Sequence, residues 1–215
     1  MNPSRIRTSL QRSLLTGLAV ILLSGCSILG GKKEPTTIYV TNLQPAVDAA
    51  WPSVPWQLSL SRPEAARSID TLRIAVRPLP HEMQYYKNAA WAKLPSDQIQ
   101  ETVQRALETS QRLPAVARQG SGIAADYKLV MDIRRFDSDY AGGATPSAVV
   151  EVSASLLHAS DNIVVASRVF RQAVPATATD VPSVVRAFEQ SLDRLGHDMA
   201  GWVLTSGHAH QSRRH

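Results

Sequence analysis

Few residues in this chain are able to do chemistry. Cys26 is the only thiol in 215 residues. Six histidines (His81, His158, His197, His208, His210 and His215) offer imidazole bases or ligands. None of them pairs with another histidine or with a carboxylate at a recognised ligand spacing inside one predicted element. His208, His210 and His215 lie together and could converge loosely on a transition metal, with incidental binding or none the stronger expectation. Asp132, Asp137 and Asp139 sit beside Arg134 and Arg135, and neighbouring carboxylates can share acid–base work. Strand alternation, however, puts Asp132 and Arg134 on one solvated face, where an exposed ion pair is the ordinary outcome. Gly120-Ser121-Gly122 lacks the spacing of a nucleophile elbow, and there is no glycine-rich phosphate loop ending in Lys-Ser/Thr. Tyr85, Tyr86 and Trp91 cluster, with Trp51 and Trp56 in proline-rich surroundings. Such rings either cap a core or form a contact surface. The expectation is a binding protein without catalytic residues, cofactor or metal.

The surroundings of Cys26 give its thiol a different use. Arg5, Arg7 and Arg12 precede an apolar run from Leu14 to Leu23, and no acidic residue occurs before Glu34. A run of about ten apolar residues is too short to span a bilayer and reads as the core of a signal peptide. Leu23-Ser24-Gly25-Cys26 follows directly and resembles a bacterial lipobox. Cleavage there leaves Cys26 as a lipidated N-terminus, with small residues at Ser24 and Gly25 suiting a narrow peptidase cleft. The expected divisions are a signal peptide over 1–25, the lipidated cysteine and a flexible tether over 26–35, a domain over 36–205, and a disordered His/Arg tail over 206–215.

Removing residues 1–25 leaves 190, enough for one domain with a sizeable core. The mature chain would carry 20 basic and 18 acidic residues, so the basic balance of the whole sequence comes mostly from its signal segment. Nothing in that distribution resembles the clustered Lys/Arg of a nucleic-acid binder. With Cys26 acylated no disulfide is available, so packing must supply the stability. No later segment approaches the roughly 18 to 20 apolar residues of a membrane span.

Hydrophobic period assigns the elements. Strands are predicted at Thr36–Val40, Trp56–Leu60 and Leu72–Val76. Met83–Tyr86 and Ala90–Leu94 flank Lys87-Asn88-Ala89 and suggest a small hairpin. Pro95-Ser96-Asp97 opens a helix with Asp97 as expected N-cap and Gln100 three residues on. Its apolar face holds Ile99, Val103, Ala106 and Leu107, and Pro114 ends it. Longer strands follow at Tyr127–Ile133, Ala148–Leu157 and Ile163–Phe170, the last two as an antiparallel hairpin. Asp180-Val181-Pro182 starts a final helix striped with Val184, Phe188, Leu192, Leu195, Met199 and Val203.

In order and spacing these segments resemble a known family. Ile38-Tyr39-Val40, Leu72–Arg77, Met83–Tyr86, Trp91-Ala92-Lys93-Leu94-Pro95 and Ile133–Tyr140, after the lipobox, are similar to the ABC-type transport auxiliary lipoproteins. Ala90 departs from the basic residue expected before the tryptophan. The resemblance implies an α/β, three-layer domain with one mixed β-sheet of about five or more strands covered by two main helices. It also implies a non-enzymatic, lipid-anchored subunit at the periplasmic face of the outer membrane. Its partners would be an MCE-domain (mammalian-cell-entry) protein with an ABC permease and ATPase that move phospholipid or other hydrophobic molecules. Self-assembly into a homo-oligomeric ring is one arrangement open to it. A lipoprotein that activates a peptidoglycan synthase is the alternative, and a periplasmic hydrolase a poorer third. Tyr85, Tyr86, Trp91, Arg135, Phe136 and Tyr140 are the expected partner contacts.

Overall fold

The structure is a computed structural model that describes residues 34–213. The signal peptide, Cys26, most of the tether, Arg214 and His215 lie outside the described residues. In chain order come β1 (Thr37–Tyr39), β2 (Leu58–Leu60), β3 (Glu64–Ala65), β4 (Arg73–Arg77), β5 (Gln84–Trp91) and α1 (Pro95–Ser110). Then follow β6 (Val116–Arg118), β7 (Tyr127–Asp139), β8 (Ser147–His158), β9 (Val164–Pro175) and α2 (Val181–Ser212).

The expected α/β class holds, with one mixed sheet of nine strands and two helices. β7 is its spine. Along one edge it pairs antiparallel with β8 over almost its whole length, and β8 pairs antiparallel with β9. Along its other edge β7 receives β2, β3 and β4 in turn, all parallel. β6 flanks β2, while β5 and then β1 flank β4.

Both helices pack on the same side of this sheet and against each other. A Cβ on Gly196 of α2 would stand 2.8 Å from Thr102 of α1, so the missing side chain is what lets the two axes approach. Alternation divides the two faces. Ala148, Val150, Val152, Ala154 and Leu156 of β8 are buried beneath the helices. Phe136 stacks on Phe188 with centroids 4.8 Å apart, and Trp91 meets both rings edge-on.

Three expectations are corrected here. Met83–Leu94 is not a hairpin: β5 runs straight through Lys87-Asn88-Ala89. Asn88 has φ 52° and shifts the register against β4. Asparagine tolerates the left-handed region, and here it makes a bulge instead of a reversal because both halves of β5 keep their neighbours. Asp97 is not the N-cap of α1. The helix starts at Pro95 after an extended Leu94, and Asp97 lies in its first turn. Residues 206–212 are not a disordered tail, since α2 continues to Ser212. Gly207 is seated against Trp56, and the Tyr127 hydroxyl meets His210 Nδ1 at 2.9 Å. A histidine-rich composition suggested disorder; two buried rings below the helix override it.

Candidate partner-contact face

The nominated residues lie on β5, on the far half of β7 and, for Tyr140, just past its end, and a single bulge decides which way those of β7 point. In β7, Tyr127, Leu129, Met131 and Ile133 face the helices. The register then slips between Ile133 and Arg135. The extra residue reverses the parity: Phe136 and Ser138 now face the helices, while Arg135, Asp137 and Asp139 line the opposite face.

That reversal builds a compact ionic network. Arg135 Nη2 donates to Asp137 Oδ1 at 2.6 Å and to Asp139 Oδ2 at 2.7 Å. Its Nε reaches Asp137 Oδ2 at 3.2 Å. Arg77 of β4 brings Nε to 3.1 Å from the same Asp137 oxygen, as an ion pair without hydrogen-bond alignment. The Asp137 side chain is 1% exposed. A carboxylate so enclosed survives only with opposite charge beside it, and two guanidiniums supply it. Asp137 and Asp139 in turn hold the Arg135 guanidinium above its ordinary value against the effect of burial. Burial pushes the Asp139 carboxyl up, but Arg135 and the Ala141 N–H outweigh it and leave that group below its usual range. Next to the network, Arg171 and Glu151 pair at 3.6 Å across β9 and β8. Asp132 and Arg134, at 4.0 Å, are the solvated pair that alternation predicted.

The aromatic nominees separate. Trp91 and Phe136 are 1% exposed and belong to the core, so neither offers itself to a partner. Tyr86 is half-buried, and its hydroxyl hydrogen-bonds Ser138 Oγ at 3.1 Å; burial raises its pKa. Tyr85 lies on the helix-free face under Arg73, whose guanidinium stands 3.5 Å above the ring, and its hydroxyl donates to the Ser68 carbonyl. Tyr140 sits partly exposed where β7 ends, beside the Ala141–Gly143 turn. Tyr85 and Arg135 therefore share one polar face with Arg73 and Arg77, which the sequence reading passed over, while Tyr140 keeps the side of Ser138 and hydrogen-bonds Tyr86. The signal for Arg73 and Arg77 was available: they alternate with buried Ile74 and Val76 in a strand. Trp51 and Trp56 are buried against α2 at Gly201 and Gly207.

A second constellation went unread because it is tertiary. Residues 41–54 run across the two helices and are fastened by their side chains. The N–H groups of Asn42 and Gln44 donate to Glu189 and Asp193, both at 2.8 Å. Arg105 reaches the Leu43 carbonyl, Arg112 the Ala49 carbonyl, and His197 the Ala46 carbonyl. Spacing of i, i+2 on an extended chain matches i, i+4 on a helix, which is why Glu189 and Asp193 can hold alternate amides. Among the described residues no group of three or more His, Cys, Asp or Glu is placed to hold a metal ion. None of the described helices is long and apolar enough to cross a membrane.

A helix-backed mixed sheet with a polar, self-paired outer face defines an α/β domain, and solved structures share it. A protein from Xanthomonas campestris, 46% identical, superposes with a TM-score of 0.80 over 82% of this chain and 99% of its own. An uncharacterised protein, 14% identical, shares the fold with a TM-score of 0.61 over 78% and 97% of the two chains. No curated protein sequence matches the chain. The chain belongs to the ABC-type transport auxiliary lipoprotein family, whose model matches residues 40–200. Membership makes it a lipoprotein, and so a membrane-anchored auxiliary component of an ABC-type transporter.

Proposed function

We propose that this protein is the lipid-anchored periplasmic accessory subunit of an MCE-type ABC transporter that moves phospholipid or other hydrophobic molecules between membranes. Its part is docking. Cys26 holds it to the periplasmic face of the outer membrane, and the folded domain engages the MCE protein, which in turn meets the permease and ATPase. The observation that carries this reading is membership of the auxiliary lipoprotein family over residues 40–200. Its charged groups add support: the carboxylates and guanidiniums of the outer face are spent on one another, which suits recognition better than turnover. We read the protein as non-enzymatic on that basis.

Affinity capture of the tagged, natively lipidated protein from gently solubilised envelopes tests the reading. The expected result is co-recovery of an MCE protein with its permease and ATPase. Recovery of a peptidoglycan synthase in their place would overturn it.

A further inference from the structure

β9 is a twelve-residue strand paired with β8 on one side only, among the described residues. Proteins usually protect so long an edge with lysine, proline or a covering segment. β9 has no lysine, and its proline is its last residue, Pro175. Val164 and Val169, with Ile163 just before the strand, are each about half exposed. The strand therefore presents a row of unpaired backbone groups flanked by apolar side chains, which is the surface that another extended strand completes.

Two further observations identify the occupant. Arg168 points to the helix side of β9, opposite Ala154. Among the described residues its guanidinium lies over the Phe170 ring, 5.0 Å away, and no carboxylate pairs with it. Four residues on and on the same side, Gln172 donates to Asp198 at 2.7 Å. Gln172 and Asp198 line a surface groove of about 360 Å³ together with Asp193, Arg194, His197 and Gln44. Burial raises the Asp193 carboxyl there. One strand thus carries a cation without an acid partner and, four residues later, the rim of a groove with two carboxylates. These, Asp193 and Asp198, accept hydrogen bonds from the uncharged Gln44 amide and Gln172 side chain, with Arg194 and His197 beside them.

An antiparallel pairing of β9 with itself joins the two. We propose that two copies of this chain pair edge to edge through β9, in a register centred on Phe170, with Arg168 of each copy entering the groove beside Gln172 of the other. In that register Arg168 faces Gln172 and Val169 faces Arg171, so like charges never stand opposite each other. Facing residues also keep the same side of the continuous sheet. The pairing goes beyond the transport reading and stands or falls apart from it.

Sedimentation of the full, natively lipidated chain in detergent across a range of protein concentrations tests the pairing. A dimer that weakens with added salt is expected. Arg168→Glu should weaken association on the order of tenfold or more, and the double variant Arg168→Glu/Asp198→Arg should restore it. A Val169→Cys/Arg171→Cys chain should cross-link into dimers on oxidation, which checks the register independently. A chain that stays monomeric at every concentration overturns the proposal. So does an oligomer, such as a ring through other edges, that forms unchanged in Arg168→Glu and does not cross-link through the 169/171 pair.

Discussion

Arg135 bonds to two carboxylates with one side chain, and the outer face of the sheet is organised around that fact. Because Asp139 is held below the ordinary carboxylate range, the unfolded chain binds its proton more readily than the folded one. The stability this contributes is fully present above the unfolded value of about 4 and is lost as pH falls through the lower folded value. Asp139→Asn should therefore flatten the acid limb of stability against pH below about pH 4. Urea unfolding of the two proteins across that range measures the difference, and identical acid limbs would dismiss the role given to Arg135. At this scale the sequence was half legible. The nearness of Arg135 to Asp137 and Asp139 could be read from composition and position. Trp91 and Phe136 were not separable from the other aromatic nominees, because an aromatic residue reads the same whether it packs or docks, and the bulge at Arg134 that sets the side of Phe136 has no marker such as glycine or proline.

Helices and strands were more legible than their ends. The apolar stripe of α2 and the alternation of β7 and β8 follow from period alone. Asp180 caps α2 as its sequence suggests, its side chain accepting from the Ser183 N–H at 2.9 Å. The last turns of α2 were missed because their reason lies far away in sequence: a Cβ at Gly207 would stand 2.4 Å from Trp56. Gly207→Ala should consequently destabilise the fold by roughly 1 to 3 kcal/mol through overpacking, despite the better helix propensity of alanine. Thermal unfolding decides the sign: a melting temperature raised by the substitution would mean that Trp56 yields easily and that the end of α2 is not fixed by this contact.

At the level of the whole molecule, one core joins everything. Trp51, Trp56 and Trp91 lie in the same buried cluster as β7, β8 and both helices, and residues 41–54 are tied to both helices at once. Unfolding followed by tryptophan fluorescence and by far-ultraviolet circular dichroism should give coincident transitions. Separate midpoints would show that the strap over residues 41–54 detaches before the sheet. The α/β class was legible because strand and helix periods alternate along the chain. The strap was not, since its extended backbone is ordered by carboxylates and guanidiniums on other elements and carries no period of its own. The placement of both helices on one face, which gives the protein its polar outer surface, likewise depends on contacts between α1 and α2 that no local pattern records.

Gly196, Gly201 and Gly207 each stand where a neighbour's bulk already occupies the space of a side chain: Thr102, Trp51 and Trp56 in turn. Neither member of such a couple can drift alone. Over evolutionary time a larger residue at 201 or 207 is admissible only after its tryptophan has shrunk, and a shrunken tryptophan leaves a void until the glycine grows. These positions should therefore descend through the lineage as matched pairs, so that the joint between the strap and the last helix is inherited as a unit while the surface around it diverges.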